Sequence, residues 1–477
     1  MFDSTRNAVD WQREACLLAA VFLVGIGIVL RVTTLSWDAG ALLHADERYL
    51  VMLLTALEWP TSVAQYLNSA ESPLNPLRDV SAYVYGTLPL FVAKLWIDVT
   101  GVASLADAAF YARVLVAVTD CIAIVIVFLL GRDTFSYRTG LLAAVFYALA
   151  VLPLQLSHFF TVDPFLNLFL LLSLLLAVRL AGKGRTGDAW LLGLFWGCAL
   201  ASKLSALPFL PVLVAAALLG ARGRDWRIGA RSLCYALLAA ALAFRLFQPY
   251  AFSGLLTLDP RFVDVLQQLR SLQGLDAQMP PSIQWAGRSG LLFPLENMAL
   301  WGLGPLLFLA GLAGAALAGI SAWRRAQAGP LLLLLWLVAL LVVVGLSFNP
   351  TLRYLWPGYG VMAVLAAHYL LSIRGSGAWR YLPLALVLVG TLLWALAFTG
   401  IYRATDTRIA ASDWIDANIP ADAALGIEYW DDPLPAAVPG RSGHQYRQTV
   451  LDVTGPDTIA KRERLLAALA EVDYVIL

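Results

Sequence analysis

The chain has 477 residues, of which 60% are hydrophobic and only 14% are charged, and its mean hydropathy is +0.74. Soluble globular chains carry roughly 25% charged residues, so this composition excludes a soluble, a disordered and a disulfide-scaffold protein. The formal net charge of +1 excludes a strongly basic nucleic-acid-binding protein, so no nucleic-acid partner is expected. The sequence predicts an all-α polytopic membrane protein that contacts membrane lipids.

Apolar stretches long enough to cross a bilayer follow one another through the first 400 residues. We predict eleven spans, near 15–36, 108–131, 138–157, 163–181, 189–202, 204–221, 232–248, 294–320, 328–347, 352–372 and 380–401. The first of them lacks the small-residue cleavage site of a signal peptide and is predicted to be retained.

The apolar stretch 84–100 is short and contains Pro89, Lys94 and Asp98. If it does not cross the membrane, every loop on the side of the N-terminus carries Lys or Arg, as cytoplasmic loops do. If it crosses, that pattern inverts. We therefore predict an interfacial helix at 84–100, an N-terminus inside and a C-terminus outside.

This topology leaves three long outer segments, namely 37–107, 249–293 with a helix near 260–272, and the tail from 402. The tail reads as a helix in RIAASDWIDANIP, strands in LGIEYW, QTVLDV and DYVIL, and a helix in GPDTIAKRERLLAALAEV. We predict a transmembrane domain at 1–401 and a small extracytoplasmic α/β module at 402–477. The chain ends within its last predicted strand, which is expected of a fragment of a longer protein.

Two acidic residues, Asp46 and Glu47, follow the first span in the motif HADERY. They could cap a helix and complement its dipole, or one could take a proton from an acceptor hydroxyl at the membrane surface. Adjacent helical residues do not share a face, so only one is expected to carry the chemistry while the other supports it.

A second polar motif, SHFFTVDPF, lies between the third and fourth spans and contains His158 and Asp163. Asp163 precedes Pro164 and could simply cap the next helix. A buried, hydrogen-bonded structural role is the commoner one for a single histidine such as His158.

Cationic side chains lie at span ends on the same predicted side. Lys203 and Arg353 could snorkel to the interface or hold a phosphate. Arg113 lies two turns before Asp120 in the second span, so the two could form an intramembrane ion pair, or Arg113 could join the phosphate site. Ionisable groups near membrane depth are functional candidates by default.

The sequence has no phosphate-binding P-loop, dinucleotide-binding motif or zinc-protease motif, and none of its four cysteines forms a CxxC pair. An active site on the outer side has no nucleotide sugar to draw on. A transferase acting there requires a donor delivered in the membrane.

These motifs, in this order and on one side, resemble a known family, the GT-C-fold glycosyltransferases that use polyprenyl-phosphate sugars. Its members include the protein O-mannosyltransferases and the lipid A aminoarabinose transferases. The matching stretches are HADERY, SPLNPLRD, VYGTLPLFVAKL, ARVLVAVTD, SHFFTVDPF, ALASKLSALPF and RYLWPGY. PPSIQW and IEYWDDPLP resemble a bacterial family-39-like subgroup. The resemblance covers nearly the whole chain and implies a GT-C fold with juxtamembrane helices in the first outer loop.

The resemblance implies a membrane transferase of the bacterial inner membrane, with its site facing the periplasm. It would move a hexosyl or pentosyl group, with inversion, from a polyprenyl-phosphate donor to a lipid, glycan or protein acceptor. Asp46 would be the general base, Glu47 would support it, and Asp163 would be the second acid. The mannosyltransferases carry a His-Pro-Pro-type motif where this chain reads YGTLPL, so a protein acceptor is not implied.

The same resemblance implies that Lys203 and Arg353 hold the lipid phosphate, together with Arg113, His158 and Tyr85. Relatives differ in metal dependence. No metal or other cofactor is expected here, because the cations can neutralise the phosphate.

Two other functions are compatible with the sequence. A secondary transporter or lipid flippase would use intramembrane charges for coupling, although we find no internal repeat of the kind that transporters show. A non-catalytic assembly protein would bind through the tail, where Trp430, Asp431 and Asp432 either contact an acceptor or form a polar loop.

Overall fold

The structure of the protein is a computed structural model that describes residues 3–78, 83–102, 104–274, 280–428, 433–441, 443–454 and 456–476. Most of the chain is helical. The helices of the first half are α1 Asp3–Val32, α2 Ala45–Ala56, α3 Val63–Leu67, α4 Leu88–Thr100, α5 Leu105–Thr134, α6 Tyr137–Ala148, α7 Val151–Leu156, α8 Asp163–Lys183, α9 Thr186–Leu200, α10 Leu210–Gly220 and α11 Trp226–Phe247.

The second half continues the helical bundle and ends in a small mixed module. Its elements are α12 Pro260–Ser271, α13 Pro280–Ile283, α14 Leu292–Asn297, α15 Pro305–Arg325, α16 Ala328–Leu346, α17 Tyr359–Ser372, α18 Leu382–Thr399, α19 Thr407–Asn418, β1 Ala424–Glu428, β2 Arg447–Leu451, α20 Ile459–Leu469 and β3 Tyr474–Val475. Short 3₁₀ helices precede α10 and α17, at Leu204–Phe209 and Leu352–Gly358.

Each predicted span coincides with a helix or a pair of helices. In the part of the chain that the structure describes, six helical segments have at least 18 residues and are apolar enough to cross a membrane. They are Leu105–Thr134, Asp163–Lys183, Trp226–Phe247, Pro305–Arg325, Ala328–Leu346 and Ala378–Asn418, which contains α18. Shorter apolar helices occupy Cys16–Val32 and Leu204–Gly220. The total of eleven crossings stays a prediction.

Two predicted spans are not continuous helices. The span 138–157 is divided into α6 and α7 at Leu149, because Pro153 cannot donate to the Leu149 carbonyl and its ring clashes there. The span 294–320 starts within α14 but is interrupted at Leu303 and Gly304, so α15 begins only at Pro305. A π-helical turn at Met298–Gly302 precedes it, and proline is favoured in the first turn of a helix.

The core of the bundle forms where α5, α6, α8 and α17 pack together. Gly131 on α5 and Gly140 on α6 permit a close approach, since a Cβ added to Gly131 would lie 2.8 Å from the Gly140 Cα. Small residues of this kind let membrane helices pack backbone to backbone.

One end of the bundle is basic. Asp133 at the end of α5 accepts hydrogen bonds of 2.7 Å from both Arg132 and Arg179, so the ends of α5 and α8 meet there. The loop between α10 and α11 lies at the same end, because its Arg224 packs on Gly184, the left-handed residue that ends α8. The 21 residues of α8 span about 30 Å, so Asp163 lies at the opposite end.

The first two outer segments pack against each other at that opposite end. Ser72 and Tyr250 share a hydroxyl–hydroxyl hydrogen bond of 2.7 Å, and Ser69 donates to Asp259 at 2.6 Å. The predicted helices in these segments are present as α4 and α12. One face of α4 is buried while Leu95 and Val99 are exposed, and its location in the membrane interface stays a prediction.

The tail folds as the sequence predicts, with both helices and all three strands present. Its sheet is parallel with the order β2-β1-β3. Arg408 of α19 donates to the Leu43 carbonyl at 2.7 Å, and Ile409 packs with Leu43 and Val438. The module is therefore attached to the loop that leads into HADERY. Trp430, Asp431 and Asp432 lie outside the described residues, and the domain boundary at 401 stays a prediction.

Candidate active site

Four charged side chains from distant parts of the sequence meet at the end of the bundle opposite the basic loops. Arg353 donates from Nη1 to Asp46 Oδ2 at 2.5 Å, and Lys203 donates from Nζ to Asp163 Oδ1 at 2.8 Å. Asp46 also lies within electrostatic range of Lys203. The structure thus brings together two acids and two cations that the sequence singled out.

Each of the four lies where a helix begins or ends. His44 caps α2 by accepting the Glu47 N–H at its Nδ1, which orients the first turn that carries Asp46. Asp163 begins α8 with proline next to it, and Lys203 follows the end of α9. Arg353 lies in the first turn of the 3₁₀ helix Leu352–Gly358.

Tyrosine rings surround the two cations. The Lys203 ammonium lies 5.0 Å from the centre of the Tyr354 ring and 5.8 Å from that of Tyr85, and the Arg353 guanidinium lies 6.0 Å from Tyr354. The negative faces of these rings attract the cations, and this cation–π attraction adds to the hydrogen bonds that the cations donate to the carboxylates. Burial and the charge of Asp46 raise the pKa of Tyr85 above its ordinary value, so its hydroxyl stays protonated.

Electrostatics keep Asp46 ionised. Its partial burial raises its pKa, but the charge of Arg353 and the hydrogen bond from it outweigh burial, so the pKa lies below its ordinary value. His44 and Lys203 lower it further. About a third of the Asp46 side chain is exposed (33%), so an ionised carboxylate is accessible at this end of the bundle.

Glu47 points away from Asp46 into the protein, as adjacent helical residues must. Arg113 donates to both of its carboxylate oxygens, at 2.8 and 2.5 Å, and the Phe160 N–H donates to Oε1 at 2.7 Å. Arg113 also donates to both oxygens of Asp38, at 2.9 and 2.6 Å. This cluster of Arg113, Asp38 and Glu47 is buried and braces the base of α2.

Arg113 is therefore not placed as a free phosphate ligand, because two carboxylates occupy its guanidinium and only 2% of it is exposed. The alternative ion pair with Asp120 is wrong. Asp120 instead accepts from Arg31 Nε at 2.7 Å.

His158 lies behind the site and is fully buried. Its Nδ1 lies 2.7 Å from the Leu154 carbonyl oxygen and its Nε2 lies 3.2 Å from that of Thr33. Its ring stacks on Tyr402 with a centroid distance of 4.0 Å. Burial lowers its pKa to about 4. Its burial and its contacts with two backbone carbonyls fit the structural role better than that of a phosphate ligand.

Sequence reasoning missed two residues of this region. Tyr354 lies between the two cations, and its position directly after Arg353 in RYLWPGY is the signal that could have found it. Asp38 is the second partner of Arg113, and nothing in the sequence pairs them across 75 positions. Within the described ranges, no group of three or more His, Cys, Asp or Glu side chains is arranged to hold a metal ion.

The sequence model of the dolichyl-phosphate-mannose-protein mannosyltransferase family matches residues 89–251. This segment contains Asp163 and Lys203 but neither Asp46 nor Arg353. A comparison with curated protein sequences gave no significant match.

Among the solved structures that resemble this chain, two align with nearly all of it. The oligosaccharyltransferase of Archaeoglobus fulgidus in its apo form has a TM-score of 0.54 at 14% identity; the match covers 96% of this chain but only 64% of that one. ArnT from Cupriavidus metallidurans bound to undecaprenyl phosphate also has a TM-score of 0.54 at 14% identity, and covers 95% of this chain and 89% of that one.

These two proteins are GT-C-fold glycosyltransferases. At 14% identity the likeness establishes the fold, and it confirms the resemblance that the motifs indicate. This chain is a polytopic membrane protein with the GT-C fold.

Proposed function

We propose that this protein is a membrane glycosyltransferase that moves a sugar from a polyprenyl-phosphate donor to an acceptor hydroxyl. The observation that carries the proposal is the convergence of Asp46, Asp163, Lys203 and Arg353 at one end of a GT-C bundle. Two acids beside two cations suit a reaction that removes a proton from one reactant and expels a phosphate from the other.

Lys203 and Arg353 are the proposed phosphate ligands. Both are partly exposed, by 12% and 28%, so each can form charge-assisted hydrogen bonds to a phosphate that enters the site. ArnT, which shares the fold, binds undecaprenyl phosphate. An entering phosphate would replace the carboxylates as the partner of the cations and so release Asp46 and Asp163 for the acceptor side.

The proposed reaction is an in-line displacement with inversion. The acceptor oxygen forms a bond to the anomeric carbon as the bond from that carbon to the phosphate oxygen breaks. The phosphate leaves with the electron pair, stabilised by Lys203 and Arg353. Asp46 takes the proton of the acceptor hydroxyl, and Asp163 orients the reactants.

In this proposal, four further residues hold the site in place without contacting the substrates, namely Glu47, Arg113, Asp38 and His158. They fix α2 and the loop before α8, and hence the two acids that these elements carry. We further propose that no metal ion is required, because two cationic side chains already face the phosphate site. The expected result is full activity in the presence of EDTA.

The site is proposed to face the periplasm of a bacterial inner membrane. The basic loops meet at the other end of the bundle, and Lys and Arg in short loops favour the cytoplasmic side. Labelling of an introduced cysteine at Ser104, in the first outer segment, by a membrane-impermeant maleimide in intact cells tests this orientation. Labelling only after lysis would reverse it.

The variant Asp46→Asn tests the proposed base. Removing a general base is expected to lower the rate by a factor of about 10²–10⁴, since the amide keeps the shape but accepts no proton. The assay uses purified protein in liposomes with a panel of undecaprenyl-phosphate sugars, a membrane extract as acceptor, and mass spectrometry of released undecaprenyl phosphate.

The matched control is Glu58→Gln, an exposed acid of the same outer segment, which is expected to leave the rate unchanged. A wild-type rate for Asp46→Asn would exclude its role as base. Movement of the lipid between leaflets without a covalent product would instead favour a flippase.

A further inference from the structure

A buried polar network centred on the Tyr147 hydroxyl lies directly beneath the site. The hydroxyl donates to Asp120 Oδ1 at 2.6 Å and accepts from Asn167 Nδ2 at 2.8 Å and from Trp356 Nε1 at 3.3 Å. A tyrosine hydroxyl has one proton and two acceptor positions, so this one uses its full capacity.

The network is anchored on α1. Arg31 donates from Nε to Asp120 Oδ2 at 2.7 Å and from Nη1 to the carbonyls of Gly27 and Ala148, at 2.9 and 2.5 Å. All the side chains of the network are at most 1% exposed. Water is not accessible to them, so each bond that is lost leaves a polar group without a partner.

Two members of the network belong to elements that carry site residues. Asn167 follows Asp163 by four residues on α8, so the two lie on one face of that helix, one turn apart. Trp356 follows Arg353 by three residues on a 3₁₀ helix, where residues three apart eclipse. The single Tyr147 oxygen therefore holds the element of Asp163 and that of Arg353 together.

We propose that Tyr147 is a positioning residue of the site, whose hydroxyl sets the separation between the Lys203–Asp163 pair and the Arg353–Asp46 pair. The relevance of this separation to catalysis rests on the proposed function. The claim that the Tyr147 hydroxyl sets the separation does not. Without the hydroxyl, α8 and the 3₁₀ helix lose their common partner, and Arg353 withdraws from Asp46.

The chain offers a matched control. Tyr359 is also fully buried, and its hydroxyl has no hydrogen-bond partner among the described residues. Tyr359→Phe and Tyr147→Phe thus remove the same atom from equally buried rings, but only the second breaks the network.

The first test follows the protonation of Asp46 by its labelling with a carbodiimide, which reacts with protonated carboxyl groups. The groups that lower the pKa of Asp46 are Arg353, His44 and Lys203. In Tyr147→Phe the labelling midpoint is expected to move up by about one pH unit, because a close cation lowers a carboxylate pKa by 1–3 units. Mass spectrometry of the labelled peptide gives the midpoint.

Tyr359→Phe is expected to keep the wild-type midpoint, and gel filtration and thermal melting verify that both variants are folded. If Tyr147→Phe does not fold, Trp356→Phe replaces it; this variant removes one bond and is expected to shift the midpoint in the same direction by less. An unchanged midpoint in a folded Tyr147→Phe, or in Trp356→Phe where that replaces it, overturns the proposal.

The second measurement separates this proposal from the proposed function. With undecaprenyl-phosphate sugars, Tyr147→Phe is expected to lower kcat about 100-fold, the effect of a displacement of about 1 Å at a reacting group. If the wild type transfers no sugar but the labelling midpoint moves, the proposed function fails and the positioning stands. If sugar is transferred equally by wild type, Tyr147→Phe and Tyr359→Phe, the positioning claim fails and the function stands.

Discussion

The ion pairs at the site and those buried behind it join the same kinds of charged groups at similar distances but differ in their surroundings. Arg31 and Asp120 lie 2.7 Å apart with neither side chain exposed, and backbone carbonyls accept three further hydrogen bonds from Arg31. Arg353 and Asp46 lie 2.5 Å apart with 28% and 33% exposed. A buried pair whose donors are held by the protein keeps helices together, whereas an accessible pair can exchange its partner for a ligand.

The surroundings of Arg113 show the same contrast. Like Arg31, Arg113 forms buried ion pairs, because Asp38 and Glu47 surround it and no phosphate can reach it without displacing both. Like Arg353, Lys203 forms an accessible ion pair, because its ammonium has one carboxylate partner and otherwise lies near two tyrosine rings.

The largest effect is expected from Arg31→Met. Removing one partner of a buried ion pair leaves Asp120 charged and unpaired, which costs about 3–5 kcal/mol of stability. Thermal unfolding in detergent micelles measures the loss. A melting temperature equal to that of the wild type would show that the Arg31–Asp120 pair does not hold the helices together.

The same substitution at the site, Arg353→Met, is expected to change stability by less than about 1 kcal/mol, because both side chains of this pair remain in contact with water. It should instead weaken binding of undecaprenyl phosphate by about 1.5–3 kcal/mol, the range for a hydrogen bond to a charged group. Calorimetric titration with undecaprenyl phosphate measures this. Equal binding by Arg353→Met and wild type would remove Arg353 from the phosphate site.

The pH dependence of activity follows from the lowered pKa of Asp46. Because the base must be ionised, kcat/KM should stay high below the pH at which an ordinary aspartate becomes protonated, and fall only at lower pH. In Arg353→Lys, which keeps the charge but weakens the contact, the acid limb should move up by a fraction of a unit. An acid limb that does not move would show that Arg353 does not tune this group.

A smaller effect is expected from Arg408→Ala in the tail. Its hydrogen bond to the Leu43 carbonyl attaches the α/β module near HADERY. Loss of one such bond costs about 1 kcal/mol, so protease cleavage between the module and the bundle should increase slightly while sugar transfer persists. Arg447→Ala, exposed on β2, is the control. Equal cleavage of both variants would show that the contact does not hold the module.

The site was largely predictable from the sequence because its residues are charged and lie at the ends of apolar spans. Asp46, Asp163, Lys203 and Arg353 each interrupt or border such a span, and loop charge placed them on one side. The partners of the buried charges were not predictable. Arg113 and Asp120 are two turns apart on α5, but their partners, Asp38 and Arg31, come from another segment and are selected by tertiary packing.

The fold, too, was predictable from the sequence only in part. Hydropathy and turn residues located the long helices and the strands and helices of the tail, although α1 begins at Asp3 rather than near residue 15 and the short helix α3 was not predicted. The break at Leu149 and the late start of α15 were missed because an apolar run conceals whether its helix is continuous. Pro153 and Pro305 were the local signals of these breaks, and a prediction from hydropathy alone does not use them.

The most direct test is a cryo-EM structure of the protein with undecaprenyl phosphate. We expect phosphate density within hydrogen-bond distance of both Lys203 Nζ and Arg353, with the two carboxylate contacts lengthened and the Arg113 cluster unchanged. Density elsewhere, with the Lys203–Asp163 and Arg353–Asp46 pairs intact, would contradict it.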